Sequence, residues 1–154
     1  MGTTTFSGPV RSERGFTAVG SSVVVAITAE TTLTYADHVG RIIEVNDADG
    51  AVTLPTITSD TIGATYKFFI GTDATDLDVK TDGTDKFVGS LAVAGTTTKA
   101  FAPAASNDVI SMNGTTTGGD RGSIIEVTAI ATAEYMVSGT LVGSGTVVTP
   151  FADS

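Results

Sequence analysis

Hydrophobic and polar positions alternate with a period of two in the clearest stretches of the chain. Tyr66, Phe68 and Ile70 fall on one side of an extended segment against Lys67 and Phe69, and Ile125, Val127 and Ala129 lie opposite Glu126. Successive side chains of a strand point to opposite faces, so these two triplets are predicted core. Short runs of this kind, separated by turn residues, predict strands near 23–28, 32–35, 41–46, 51–54, 65–71, 77–80, 86–93, 97–101, 107–112, 123–129 and 133–141. Asp49-Gly50, Asp82-Gly83 and Asn113-Gly114 supply the positive-φ residues that tight hairpins want. Long stretches with a period of 3.6 are interrupted by Gly, Pro or β-branched clusters, so any helix is short.

Composition narrows this to one fold class. The chain has 154 residues, which the length prior assigns to one domain, and 28 Thr, 17 Val and 10 Ile, whose β-branched side chains suit a pleated surface better than a helix. The expected architecture is all-β, a single β-sandwich or jelly-roll-like domain over residues 23–154. Residues 1–22 read as an extended N-terminal arm, since Gly2, Gly8, Gly15 and Gly20 break any regular element there. The stretches Gly40-Arg41-Ile42-Ile43-Glu44-Val45 and Gly122-Ser123-Ile124-Ile125-Glu126-Val127 match at five of six positions. If the match reflects duplication, the two halves would form the facing sheets of the sandwich.

Charge and cysteine content remove several function classes. The formal net charge is −9, which repels nucleic-acid phosphates, so no nucleic-acid partner is expected. The arm carries Arg11 and Arg14 against Glu13, a formal +1, while the other 6 Lys/Arg and 16 Asp/Glu leave the body at −10. With no cysteine there is no disulfide framework and no thiolate metal site. Apolar runs such as Val23-Val24-Val25-Ala26-Ile27 fall far short of the ~20 residues of a spanning helix, so no membrane association is expected, and Met1–Val10 lacks the pattern of a signal peptide.

Candidate chemistry is sparse. His38, the single histidine, adjoins Asp37, but neighbours in extended chain point to opposite faces, and a surface turn histidine is the expectation. Gly143-Ser144-Gly145 lacks the spacing of a nucleophile elbow. Glu44 and Glu126 occupy equivalent places in the matching stretches and are the one carboxylate pair that glycoside chemistry could use, with outward-facing solvated glutamates as the simpler reading. In the acidic run 73–85, Asp78, Lys80, Asp82 and Gly83 could take the first, third, fifth and sixth positions of a calcium loop. Lys80 puts a cation where an oxygen ligand belongs, and Gly89 stands where the loop ends in Glu, so two acidic hairpin turns are expected instead. The glycine-rich 115–122 segment lacks the Gly-Lys-Ser/Thr ending of a phosphate loop and reads as a wide loop between strands. No catalytic, cofactor or metal residue is assigned.

Three stretches carry a resemblance. Thr5-Phe6-Ser7-Gly8-Pro9-Val10-Arg11-Ser12, the segment Asn113-Gly114-Thr115-Thr116-Thr117-Gly118-Gly119 leading into Ile124-Ile125-Glu126-Val127, and the ending from Gly139 to Thr146 and through Thr149-Pro150-Phe151 resemble small virion proteins of tailed bacteriophages, marine ones especially. The resemblance implies a non-enzymatic capsid decoration, or cement, protein. Such a protein is β-rich and commonly a homotrimer, sits on the outer surface of the capsid, and locks neighbouring subunits of the major capsid protein. The arm would then lie across the lattice, with Phe6, Pro9, Val10 and Phe16 in apolar contact and Arg11 and Arg14 meeting acidic groups. Two alternatives stand beside it: a fibre or host-adhesion protein of the virion that touches a receptor with loops 71–86 and 113–122, and a glycan-active enzyme using Glu44 and Glu126.

Overall fold

Alternation in the sequence becomes burial in the structure. In the strand Thr65–Ile70, Tyr66, Phe68 and Ile70 are buried while Lys67 is exposed, and in the strand Asp120–Ala131, Ile125, Val127 and Ala129 are buried. The computed structural model of the chain describes residues 19–154. In chain order these form β1 (Val24–Ile27), β2 (Thr31–Thr32), α1 (Tyr35–His38), β3 (Ile42–Val45), β4 (Asp49–Thr53), β5 (Thr65–Ile70), β6 (Asp76–Lys80), β7 (Lys86–Gly89), β8 (Leu91–Ala94), β9 (Thr98–Phe101), β10 (Val109–Met112), β11 (Asp120–Ala131), β12 (Glu134–Val142) and β13 (Phe151–Ala152). Of the predicted arm, only the stretch from Val19 belongs to the described residues, where Ser21–Val23 forms a 3-10 turn.

The strands make two sheets, so the all-β sandwich is the observed fold. The larger sheet has the order β1-β3-β5-β11-β12-β8-β9, with β7 also on β12, and the smaller has the order β13-β10-β6-β4-β2. From β1 to β6 the chain crosses between sheets after every strand. Parallel neighbours need a crossover, and here the crossover is a strand of the opposite sheet rather than a helix. That is why β1, β3 and β5 run parallel in one sheet and β2, β4 and β6 run parallel in the other. The inner faces meet in one core that includes Ile43, Phe68, Ile70, Ile125, Val127 and Val137 from the larger sheet and Val52, Leu77, Val79, Ile110 and Met112 from the smaller. Tyr66 and Tyr135 pack edge to face within it at 6.5 Å, and the Tyr135 hydroxyl donates to the Pro55 carbonyl at 2.6 Å. Among the described residues no helix is long and apolar enough to cross a membrane.

Four local expectations change. Gly50, Gly83 and Gly114 do hold positive φ, at 94°, 92° and 69°, but Gly50 lies within β4, in register with Leu77, and Gly83 and Gly114 lie where the chain passes from the smaller sheet to the larger, so none closes a hairpin. Consecutive strands pair as antiparallel neighbours at β8–β9 and at β11–β12 instead. The strand expected at 32–35 stops at Thr32, because Thr34 caps α1: its hydroxyl oxygen accepts from the Asp37 N–H. The strand expected at 86–93 is broken at Ser90, next to Gly89 at φ 112°, as a glycine inside a strand often marks. Finally, the matching stretches 40–45 and 122–127 do not face each other across the sandwich. Their strands β3 and β11 flank β5 in one sheet.

The β11–β12 hairpin turns through Thr132 and Ala133, and Ala133 is the one non-glycine at positive φ (66°) among the described residues. A Cβ in that region costs about 1–2 kcal/mol, partly balanced by the greater unfolded-state freedom of glycine. Ala133→Gly is therefore expected to stabilise the protein by about 0.5–1 kcal/mol, read as a rise in the urea midpoint at unchanged slope.

Candidate functional site

The outer face of the larger sheet is built by register around β5. β3 runs parallel to β5 and β11 runs antiparallel, so the shared Ile-Ile-Glu-Val pattern is laid down in opposite directions on its two sides. One cross-strand row reads Val24, Ile42, Lys67, Glu126 and Ser138. The next reads Ala26, Glu44, Phe69, Ile124, Thr140 and Ala92. Apolar and charged positions thus exchange places from row to row. Ile42 is 43% exposed and Ile124 53%, and Val24 is also exposed. Between them lies a shallow groove of about 480 Å³ whose lining includes Ile42, Lys67, Phe69, Ile124, Glu126 and Gly139. Lys67 Nζ lies 3.2 Å from Glu126 Oε2 across the ladder. Comparison with family models, curated proteins and solved structures finds no match to this chain. The surface has to be read from its own chemistry.

The acidic side chains of this face are spread across it. Glu44 and Glu126 do share this outer face, but they sit on β3 and β11, two strand spacings and one row apart, which puts their Cα atoms roughly 12 Å from each other. Glu126 is engaged with Lys67, and Glu44 stands opposite Phe69. His38 corrects the expected surface turn: it ends α1 with 9% exposure, and Thr34 N–H donates to its Nδ1 at 3.0 Å. Asp37 engages the Thr34 hydroxyl at 2.9 Å rather than the imidazole.

The acidic run 73–85 also differs from the two hairpin turns expected of it. Asp76–Lys80 is β6, in the middle of the smaller sheet, and Asp82–Asp85 turns the corner toward β7. The Asp82 carboxylate accepts from Thr56, from the Thr84 hydroxyl and N–H, and from the Asp85 N–H. Burial acts to raise its pKa, but these donors outweigh burial and bring it down to about 2. Asp85 is buried and accepts from Ile57 N–H at 2.9 Å; burial, with the Asp82 charge beside it, leaves its pKa raised. Both carboxylates therefore tie backbone together. No group of three or more His, Cys, Asp or Glu side chains placed to hold a metal occurs among the described residues.

The 115–122 segment is likewise tied down internally. Asn113 Oδ1 accepts from the Thr115 and Thr117 N–H groups at 2.9 and 3.1 Å, while Gly143 and Val148 lean on the same loop. β11 already begins at Asp120, so the loop is shorter than expected. Of the loops proposed for receptor contact, 71–75 meets the 113–121 region through Ala74 N–H to Gly119 O and Arg121 N–H to Asp73 Oδ1. Residues 81–85 follow β6 and lie at its other end. The expected capsid-binding positions Phe6, Pro9, Val10, Arg11, Arg14 and Phe16 lie outside the described residues.

What sequence reasoning missed is the outer face itself. Its signal is the repeated Ile-Ile-Glu-Val on two strands, which marks two flanks of a common neighbour, β5.

Proposed function

We propose that this chain is a structural protein of a virion, a capsid decoration protein that binds the outer surface of the head and holds neighbouring major capsid protein subunits together. The observation that carries an assembly role is the outer face of the larger sheet, where Ile42, Phe69 and Ile124 form an apolar contact surface on an otherwise acidic body. The capsid assignment rests on the resemblance carried by the arm, the 113–127 segment and the ending of the chain. In this mechanism the sandwich is a rigid, multi-copy body and the arm is the grip: Phe6, Pro9, Val10 and Phe16 bury apolar surface on the shell while Arg11 and Arg14 pair with its acidic groups.

Energetics favour several linked copies. Ordering about 15 arm residues costs roughly 15–30 kcal/mol, and the three large apolar side chains among them, Phe6, Val10 and Phe16, return only about 2–3 kcal/mol each. Main-chain hydrogen bonding to the shell and simultaneous engagement of arms from a homo-oligomer supply the rest, because linked arms rebind at high effective concentration. The fibre or host-adhesion alternative would use the end of the sandwich where 71–75 meets 113–121.

Cosedimentation with expanded heads of the virus that encodes the chain tests this. The full chain is expected to saturate at a fixed ratio to the major capsid protein, and Arg11→Glu with Arg14→Glu should weaken retention about tenfold, since each reversal turns a favourable surface pair into a repulsive one. Retention that is absent, or equal for both proteins, overturns the arm mechanism.

A further inference from the structure

The rows on the outer face have a symmetry of their own. Take an axis lying in that face, parallel to the strands and midway between β5 and β11. A half-turn about it brings a second copy face to face with the first. The turn exchanges β5 with β11 and β3 with β12 while keeping each row at its own height. Lys67 then meets Glu126 of the second copy, and Glu126 meets its Lys67. Phe69 meets Ile124 and Ile124 meets Phe69. Ile42 is set against Ser138, and Glu44 against Thr140. In these rows no like charges are opposed and no carboxylate is set against an apolar side chain.

Alternative placements fail this test. An axis along β5 would oppose Lys67 to its own copy. An axis running across the strands, midway between the rows, would exchange the rows and press Glu44 onto Ile42 and Glu126 onto Ile124. Of these three placements, only the axis between β5 and β11 gives a four-charge ring of alternating sign beside an apolar cluster.

We infer that a second copy of this chain is the occupant of this face, related by a two-fold axis between β5 and β11. The inference rests on reading the face as an assembly surface, and it does not depend on the shell to which the assembly attaches. It also makes the oligomer two-fold, whereas the resemblance implies a trimer.

The interface this axis makes is a small one. Six strands of the path, β1 to β8, are covered by the half-turn and β9 lies outside it; at about 4.8 Å spacing they span roughly 24 Å, and strands of about six residues run roughly 20 Å, giving a flat footprint of about 480 Å² before side-chain relief. A standard interface takes about 800 Å² of accessible surface from each partner. The aligned packing of two sheets about 10 Å apart is also the usual geometry for such faces. The Lys67 and Glu126 side chains are 56% and 46% exposed, so each retains room for a second partner.

Charge reversal in two separate proteins provides the test, with the full chain throughout. Sedimentation velocity from about 1 to 100 µM should show a species of twice the 15.5 kDa chain mass at the upper concentrations. Lys67→Glu alone sets carboxylates against Glu126 of the second copy, and Glu126→Lys alone sets ammonium groups against Lys67. Each variant is expected to dissociate at least tenfold more readily than the parent. An equimolar mixture of the two should form mixed pairs, because every opposed position then carries opposite signs.

Recovery on mixing cannot come from the Lys67–Glu126 pair within one copy, which both variants lack. Ile124→Ser should weaken the parent pair without changing the far-ultraviolet circular dichroism. The inference is overturned by a monomer at all concentrations, by a trimer, or by a dimer that ignores both reversals. Loss of head binding with pairing intact would count against the capsid reading alone.

Discussion

Replacing Gly139 by alanine is expected to destabilise the protein by about 3–5 kcal/mol. Gly139 sits in β12 opposite Ile125, on the most extensive ladder in the molecule, at φ 148°. A Cβ there would stand 2.2 Å from the Ile124 carbonyl oxygen and 3.0 Å from the Ile125 Cα, both backbone atoms that cannot rotate away. The backbone conformation is one that glycine occupies almost exclusively, at a cost of about 1–3 kcal/mol for other residues, and forced overpacking adds about 1–3 kcal/mol more. The ladder would have to part between β11 and β12, beneath the groove. Gly122 provides the control: its φ is 98°, but nothing lies within 4 Å of an added Cβ. Gly122→Ala should therefore cost only the backbone share. Urea unfolding of the two variants checks the contrast, and equal midpoints would show that the contact with Ile124 is not what matters. For a domain of this size the Gly139→Ala loss corresponds to a fall of roughly 10 °C in Tm.

Local chemistry and long-range pairing were legible in the sequence to very different degrees. The inward rows of β5 and β11 were readable because the side-chain period of two is a property of each strand by itself. Gly50, Gly83 and Gly114 were readable as positive-φ positions for a similar reason. Whether such a corner closes a hairpin or carries the chain to the other sheet depends on partners tens of residues away, and no dipeptide encodes that. The α1 turn was missed although its signal was present, since Thr34 followed three residues later by Asp37 is a capping spacing. His38 went with it, buried in place of exposed.

The candidate site lies on the long-range side of this divide. Nothing in the stretch 40–45 says that Glu44 will stand beside Phe69, and nothing in 122–127 says that Glu126 will stand beside Lys67. The row pattern appears only once one copy of the motif is laid parallel to β5 and the other antiparallel. The same coiling between sheets that made β3 and β5 parallel neighbours is thus what arranges the outer face. Topology, rather than any residue alone, makes the surface self-complementary.

At the far end of the sandwich the two sheets are joined by charge, and there Asp108→Asn is expected to cost about 3 kcal/mol at pH 7. Asp108 precedes β10 in the smaller sheet and Lys86 opens β7 in the larger, with 2.7 Å between Nζ and Oδ2. The Ser154 N–H and hydroxyl donate to the same carboxylate at 2.8 and 3.1 Å. Burial acts to raise the Asp108 pKa, but the Lys86 and Ser154 hydrogen bonds outweigh it and hold it below the usual carboxylate value. Breaking a buried pair costs about 3–5 kcal/mol because the remaining charge is stranded. The lower figure applies here, since the Lys86 side chain is 32% exposed and can reach water. A carboxyl group whose folded pKa lies below its unfolded value of about 3.9 contributes stability above that value and loses it as pH falls through the folded pKa. The stability gap between the parent and Asp108→Asn should therefore be full at pH 5–8 and close progressively below about pH 4. Denaturation curves at pH 7, 4 and 2.5 measure it. A gap that stays constant across that range would mean that Asp108 holds the sheets together by shape and neutral hydrogen bonds, with its charge contributing nothing.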